Sequence, residues 1–325
     1  MKTRFIFNPC SGKNRRNPGL VPAIRTFIAK HRLDADLVFT SHPGHATGLA
    51  RAALADGCER VVAVGGDGTM NEVAQALVGT PAALALVPTG SGNGLALHLG
   101  LPTQPRRALA LLADTTARIA VIDTGTANGH PFFNAMGLGF DAEISRRFNR
   151  LTRRSLTAYA RTGLAAFVRS AGRQSGQRIT ITDGNGTQET LDAFLVAVAN
   201  SDQYGNHARL APGARVDDGL LDLVAVRPPG LWGALPLVAR LFLGTFDRSP
   251  QVRRHRGARF IIHRPAPGLI HTDGETHETG ATVEVAVLPL SLRLLVPATC
   301  QVVSTAAAPP SLLPPWKRNA SGSAP

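Results

Sequence analysis

Gly65-Gly66-Asp67-Gly68-Thr69-Met70-Asn71-Glu72-Val73 follows directly on the apolar run Val61-Val62-Ala63-Val64, so a buried strand empties into a glycine-rich turn that carries one carboxylate and opens a helix. Consecutive glycines let backbone N–H groups approach an anion closely, and the helix start adds unsatisfied donors and the positive end of its dipole. A carboxylate in such a turn can hold a divalent cation against phosphates. The stretch predicts a phosphate site at the carboxyl end of a strand, and with it an α/β layer.

The same punctuation recurs on either side. Arg4-Phe5-Ile6-Phe7 runs into Asn8-Pro9-Cys10-Ser11-Gly12-Lys13, which is no P-loop because no glycine precedes Gly12-Lys13 at the GxxxxGK spacing. A short strand over 36–40 leads into Thr40 and Pro43-Gly44-His45-Ala46, and a strand over 83–87 feeds Pro88-Thr89-Gly90-Ser91-Gly92-Asn93-Gly94. A dinucleotide fingerprint fails in this last loop on register. Four strand–loop–helix units imply a parallel sheet with helices on both faces, a three-layer nucleotide-binding domain over 1–123, with its loops at the strand ends where open α/β sheets bind ligands.

After Asp123 the rhythm changes. Residues 178–182 alternate, Asp183-Gly184-Asn185-Gly186 makes a hairpin turn, and further short strands are expected over 193–199, 220–226, 260–263, 283–288 and 292–296. An all-β second domain over 124–303, a β-sandwich, follows, interrupted by helical stretches over 151–171 and 231–243. The Pro-, Ala- and Ser-rich tail 304–325 has little to bury and reads as disordered.

Three scattered cysteines, Cys10, Cys58 and Cys300, lack metal-ligand spacing and suit a reducing, cytoplasmic setting. No signal peptide is read at the start, and no run reaches the roughly 18 to 20 apolar residues of a membrane span. The formal charge of +13 calls for an anionic partner. Nucleic acid is excluded by the absence of any recognition motif and by only 5% aromatic residues. An anionic membrane surface fits better, because Arg146, Arg147, Arg150, Arg153, Arg154 and Arg161 surround Phe148, Leu151, Leu156, Tyr159, Leu164 and Phe167. Peripheral membrane association is expected from that segment. A homodimer stays open.

GGDGT-x-NE after a strand resembles the nucleotide loop of the diacylglycerol kinase catalytic domain family, lipid kinases that include sphingosine kinases and share an ancestral fold with NAD kinases. Residues 8–13 match its NPxSGK opening, 40–46 its T-x-x-x-GHA segment, Asp218-Gly219-Leu220-Leu221-Asp222 its DG-x-LD segment and Asp273-Gly274-Glu275 its DGE motif. Where many relatives have GT-x-ND, this chain has Gly90-Ser91-Gly92-Asn93, nearer the sphingosine kinase version and without the acidic residue. The matches run from residue 4 to 296 in the family's order.

The resemblance implies an ATP-dependent lipid kinase of lipid metabolism that moves the γ-phosphoryl of ATP to a lipid hydroxyl with Mg²⁺. Asn8, Lys13, Thr40, Gly65, Gly66, Asp67, Gly68, Thr69, Asn71 and Ser91 would hold the nucleotide, with Asp67 orienting the cation. Asp218, by its side chain, and Arg215 and Leu220, by their carbonyls, would bind a structural Mg²⁺. Glu275 is the expected general base, reaching over from the β domain with Asp273 as supporting neighbour, because a metal-ligand carboxylate is partly committed; the reverse assignment to Asp67 stays open. Asp141 matches the head-group carboxylate of sphingosine kinases. Diacylglycerol, a sphingoid base or another lipid alcohol all remain as acceptors. Two rivals remain, an NAD-kinase-like enzyme and a non-catalytic nucleotide- or lipid-binding regulator.

Overall fold

The computed structural model describes residues 1–139, 176–205 and 207–302. Asp141, the arginine-flanked segment 146–167 and the tail 304–325 lie outside the described residues. The chain divides into two units, one of Met1–Asp123 with the residues from Pro289 onward, the other of Thr124–Leu288.

In the first unit β1 (Thr3–Phe7), α1 (Leu20–Lys30), β2 (Ala35–Phe39), α2 (His45–Ala55), β3 (Arg60–Gly65), α3 (Asp67–Leu77) and β4 (Ala83–Pro88) alternate, followed by α4 (Gly94–His98) and α5 (Pro105–Leu111). The strands stand in the order β2-β1-β3-β4, all parallel. Every residue of β3 and β4 is buried, as in a sheet covered on both faces. This is the expected α/β layer, with the loops after β1, β3 and β4 at one edge.

The second unit contains β5 (Arg118–Ala127, which begins in the first unit), β6 (His130–Phe132), β7 (Ala135–Gly139), β8 (Gln177–Asp183), β9 (Gln188–Ala193), β10 (Leu195–Ala199), β11 (Gln203–Gly205), β12 (Ala208–Arg209), β13 (Leu221–Val226), α6 (Gly230–Leu243), β14 (Val252–Gly257), β15 (Arg259–His263), β16 (Gly268–Thr272), β17 (Glu275–Thr279) and the start of β18 (Thr282–Val296). One antiparallel sheet runs β18-β15-β8-β9 and the other β14-β13-β10-β7-β16-β17. Alternate residues of both, among them Met136, Leu138, Ile179, Ile181, Val196, Val198, Leu223, Phe260, Ile262 and Val283, meet in one core, which makes the unit a sandwich. On the far side of the second sheet, Ala197, Ala199, Val224 and Val226 pack with Leu237 of α6.

The end of the chain corrects the expected boundary at 303. Residues 283–288 and 292–296 form one strand, β18, and its last part pairs in parallel with β4 through Arg293 and Leu294. The break read from the sequence is a kink: Pro289 has no N–H for the ladder, Leu290 has φ 45°, and its N–H donates instead to the buried carboxylate of Asp123 at 2.7 Å. From Pro289 the chain therefore belongs to the first unit.

Candidate active site

Three loops at the carboxyl ends of β1, β3 and β4 are joined backbone to backbone. Asn8 N–H donates to Val64 O at 3.0 Å, Lys13 N–H to Thr89 O at 3.0 Å and Thr89 N–H to Gly65 O at 2.8 Å. Side chains complete the joint: Gly66 N–H donates to Ser11 Oγ at 2.7 Å, and Asn8 Nδ2 to Thr69 Oγ1 at 2.9 Å. The approach tolerates no side chain, because a Cβ on Gly90 would lie 2.6 Å from Gly66 Cα. Gly12, at φ +35°, would bring its Cβ to 2.3 Å from Thr89 O. Glycine spacing in the sequence thus reflects close loop packing.

Asp67, the first residue of α3, has its Oδ2 on the N–H of Asn93 at 2.8 Å and its Oδ1 on the N–H of Gly94 at 2.9 Å. The carboxylate therefore also caps α4 and ties the Gly90–Asn93 turn to the helix start. A carboxylate offers about four lone-pair sites, so two remain for a ligand. A hollow at this edge is lined by Gly65, Gly66, Asp67, Met70, Pro88 and Asn93, among others. Lys13, Arg15 and Arg16 are exposed on the turn after β1, and Ser91 is exposed in the loop after β4. Thr69 and Asn71 are buried, Asn71 accepting from Gln75 Nε2 at 2.6 Å, so the contacts seen for both hold the loop and helix from within. Thr40 is buried, with its N–H on Phe7 O. Glu72 caps α2 through Ala46 N–H at 3.0 Å.

In the β unit, Asp273 sits at φ 48° between β16 and β17. Its carboxylate accepts three N–H groups, from Phe133 at 2.7 Å, Asn134 at 3.0 Å and Ala135 at 2.9 Å. It is a clamp on the loop before β7. Glu275 follows at the exposed start of β17, in register with Thr272. Beneath the turn, buried His271 shares a 2.9 Å hydrogen bond between Nε2 and the Tyr204 hydroxyl. Thr272 Oγ1 lies 2.9 Å from His277 Nε2, and His277 stacks on His130 at 3.8 Å. Burial first, then the neighbouring His130 and His271, push the His277 imidazole down to about 4, so it is neutral at physiological pH.

Both carboxylate oxygens of Asp218 have protein partners. One Asp218 oxygen accepts Leu220 N–H at 3.1 Å and the other is paired with Arg256. Arg215 turns to Asp217 at 3.0 Å. Buried Asp222 is flanked by Arg254 at 2.8 Å and Arg256 at 3.3 Å; burial pushes its carboxyl up and Arg254 opposes that. Two guanidiniums thus balance the charge of the buried Asp222 carboxylate.

Known proteins resemble this chain over most of its length. The Diacylglycerol kinase catalytic domain is matched over residues 2–124, and the YegS C-terminal NAD kinase beta sandwich-like domain over 134–296. The chain is 35% identical over 265 residues to a Pseudomonas aeruginosa protein named "Probable lipid kinase YegS-like", covering 80% of this chain and 83% of that one. It is 28% identical over 306 residues to a Mycobacterium tuberculosis protein named "Diacylglycerol kinase", covering 91% and 95%. The crystal structure of a diacylglycerol kinase from Bacillus anthracis superposes with a TM-score of 0.69 over 93% of this chain and 98% of that one; at 21% identity this likeness shows the fold.

Proposed function

We propose that this chain, which belongs to the diacylglycerol kinase catalytic domain family of lipid kinases, transfers the γ-phosphoryl of ATP to the hydroxyl of a lipid alcohol, a diacylglycerol, a sphingoid base or a relative of these. The observation that carries the reading is the joint of three loops around Gly66, Asp67 and Gly90, where a backbone free of Cβ atoms lies beside a helix start and a carboxylate.

Phosphoryl transfer asks a protein mainly to position and to neutralise. The glycine turn after β3 accommodates phosphates, and Lys13, with Arg15 and Arg16 on the same turn, supplies positive charge. Bound Mg²⁺ would neutralise charge on the transferring phosphoryl, and Asp67 would be its oxygen donor. Asp67 also keeps the Gly90–Asn93 turn in place, so the loop is formed before nucleotide arrives. We assign the hydroxyl's proton to Glu275. It is exposed on a hairpin that Asp273 fixes, whereas Asp273 itself is committed to three N–H groups.

The test is release of ADP from ATP in the presence of Mg²⁺ and micelles of diacylglycerol or sphingoid base. Triacylglycerol, which has no free hydroxyl, and NAD⁺ serve as controls. Lipid-dependent ADP release absent from both controls supports the reading; release that depends on NAD⁺ alone overturns it.

A further inference from the structure

Five large hydrophobic side chains are exposed among the described residues, and three of them stand on one helix: Leu235, Phe242 and Leu243 of α6, 64%, 51% and 75% exposed. Leu235, Ala239, Phe242 and Leu243 fall within about 100° of one another around a helix of 3.6 residues per turn. Ala234 and Leu237 are buried on the opposite face, and Leu241 packs against the sandwich. The inner face is therefore fixed to the β unit, and the outer face is apolar and exposed, with no side chain packed on it among the described residues. A monomeric surface does not ordinarily gather its exposed hydrophobes this way.

The chemistry around this face is cationic. The only charged residue in the helix sequence is Arg240, in its last turn. Arg248 is exposed just beyond the C-terminus, and the side chain of Arg209, half exposed and 3.8 Å from Asp202, passes beside Gly244. At about 1.5 Å per residue the helix is about 21 Å long, and no described helix is long and apolar enough to cross a membrane.

We infer that the outer face of α6 is a docking surface for an anionic lipid bilayer, on which the helix lies flat with Leu235, Phe242 and Leu243 in the interface and Arg240, Arg209 and Arg248 among the headgroups. Charge complementarity selects this occupant over a second copy of the chain. Two molecules of charge +13 repel, whereas anionic lipid neutralises that charge. An apolar stripe bordered by arginines is also the pattern of helices that lie in a membrane surface. The inference deepens the proposed function, since it brings the enzyme to the phase that holds its acceptor, and it rests on residues other than 146–167.

The experiment is flotation of the full chain with phosphatidylcholine vesicles, with and without phosphatidylglycerol, alongside turnover on a short-chain, water-dispersed diacylglycerol. The triple variant Leu235→Ser, Phe242→Ser, Leu243→Ser should partition onto phosphatidylglycerol vesicles at least about tenfold less than wild type, because each buried leucine or phenylalanine is worth roughly a tenfold factor when fully inserted and these insert in part. Its turnover on the dispersed substrate should stay within about twofold, since none of the three belongs to the phosphate loops. Ala239→Trp on the same exposed face should increase partitioning several-fold, and it decides the matter if the triple variant folds poorly. Wild type that does not float, a triple variant that floats like wild type, or a self-association broken by the triple variant with vesicle binding unchanged would each overturn the docking surface. Flotation is read without catalysis, so a chain that floats as expected yet phosphorylates no lipid would sink the kinase reading and leave the docking surface standing.

Discussion

Replacing Asp67 by alanine removes two structural bonds and one functional charge at once. Asn93 and Gly94 donate to separate oxygens at 2.8 and 2.9 Å, and hydrogen bonds to a charged group contribute about 1.5–3 kcal/mol each. The site is partly exposed, so water can satisfy part of what is lost, and a net loss of about 2–3 kcal/mol of stability is expected. At about 2–4 °C per kcal/mol, the melting temperature should fall by roughly 5–10 °C. Turnover should fall on the order of a thousandfold or more, because the loop that receives phosphate is both loosened and stripped of its cation ligand. Asp67→Asn separates the two effects. Its amide keeps one acceptor but turns an –NH₂ toward the other N–H, so about half of the stability loss should persist with turnover still very low. Calorimetry of the nucleotide-free protein and ADP release are the assays. An Asp67→Ala protein that melts with wild type refutes the capping geometry, and one that keeps more than about a tenth of wild-type turnover refutes the role at the phosphates.

Glu275→Gln should bind ATP normally and turn over about a hundredfold to ten-thousandfold more slowly, as for loss of a general base; normal turnover would move the base elsewhere. Asp273→Asn should lower the melting temperature more than Glu275→Gln does, since it disturbs three N–H bonds to the loop before β7, and equal melting temperatures would count against the clamp. EDTA should leave the melting temperature of the nucleotide-free protein within about 1 °C, because Asp218 is held by Arg256 and Leu220; a larger fall restored by Mg²⁺ would mean that a cation displaces the arginine. His277 has a folded-state pKa of about 4, against about 6.5 unfolded, so the unfolded chain takes up more protons between those values. Its stabilising contribution is full above pH 6.5 and falls away as pH drops to 4, by on the order of 1–2 kcal/mol after solvent screening; His277→Gln should flatten that part of the stability–pH curve.

The α/β layer was legible because its cues are local. Apolar runs end in glycine turns at β3 and β4, and the buried strands are the ones those runs predict. The sandwich was legible in kind from alternation in β8 and the Asp183–Gly186 turn, but β14, β16 and β17 were not read, since Arg253, Arg254 and His255 give a strand no apolar signature. One strand was read as two, over 283–288 and 292–296, because sequence does not show that Asp123, far off in the chain, takes the N–H of Leu290. The site followed the same division. Asp67 and the glycines stand out in the sequence, but nothing local marks Ser11 as the acceptor for Gly66, Tyr204 as the partner of His271, or Arg256 as the partner of Asp218; these pairs are 55, 67 and 38 positions apart. Motif spacing identified the loops and left out the long-range partners that hold them.

The most direct measurement is incubation of the full chain with Mg²⁺ and ATP labelled in the γ-phosphoryl, over vesicles carrying diacylglycerol or a sphingoid base, followed by extraction into organic solvent. Labelled phospholipid is expected from at least one of these alcohols, with label lost in Asp67→Ala. Label that stays wholly in the aqueous phase with every lipid alcohol, from a protein that binds ATP and is folded, would contradict it.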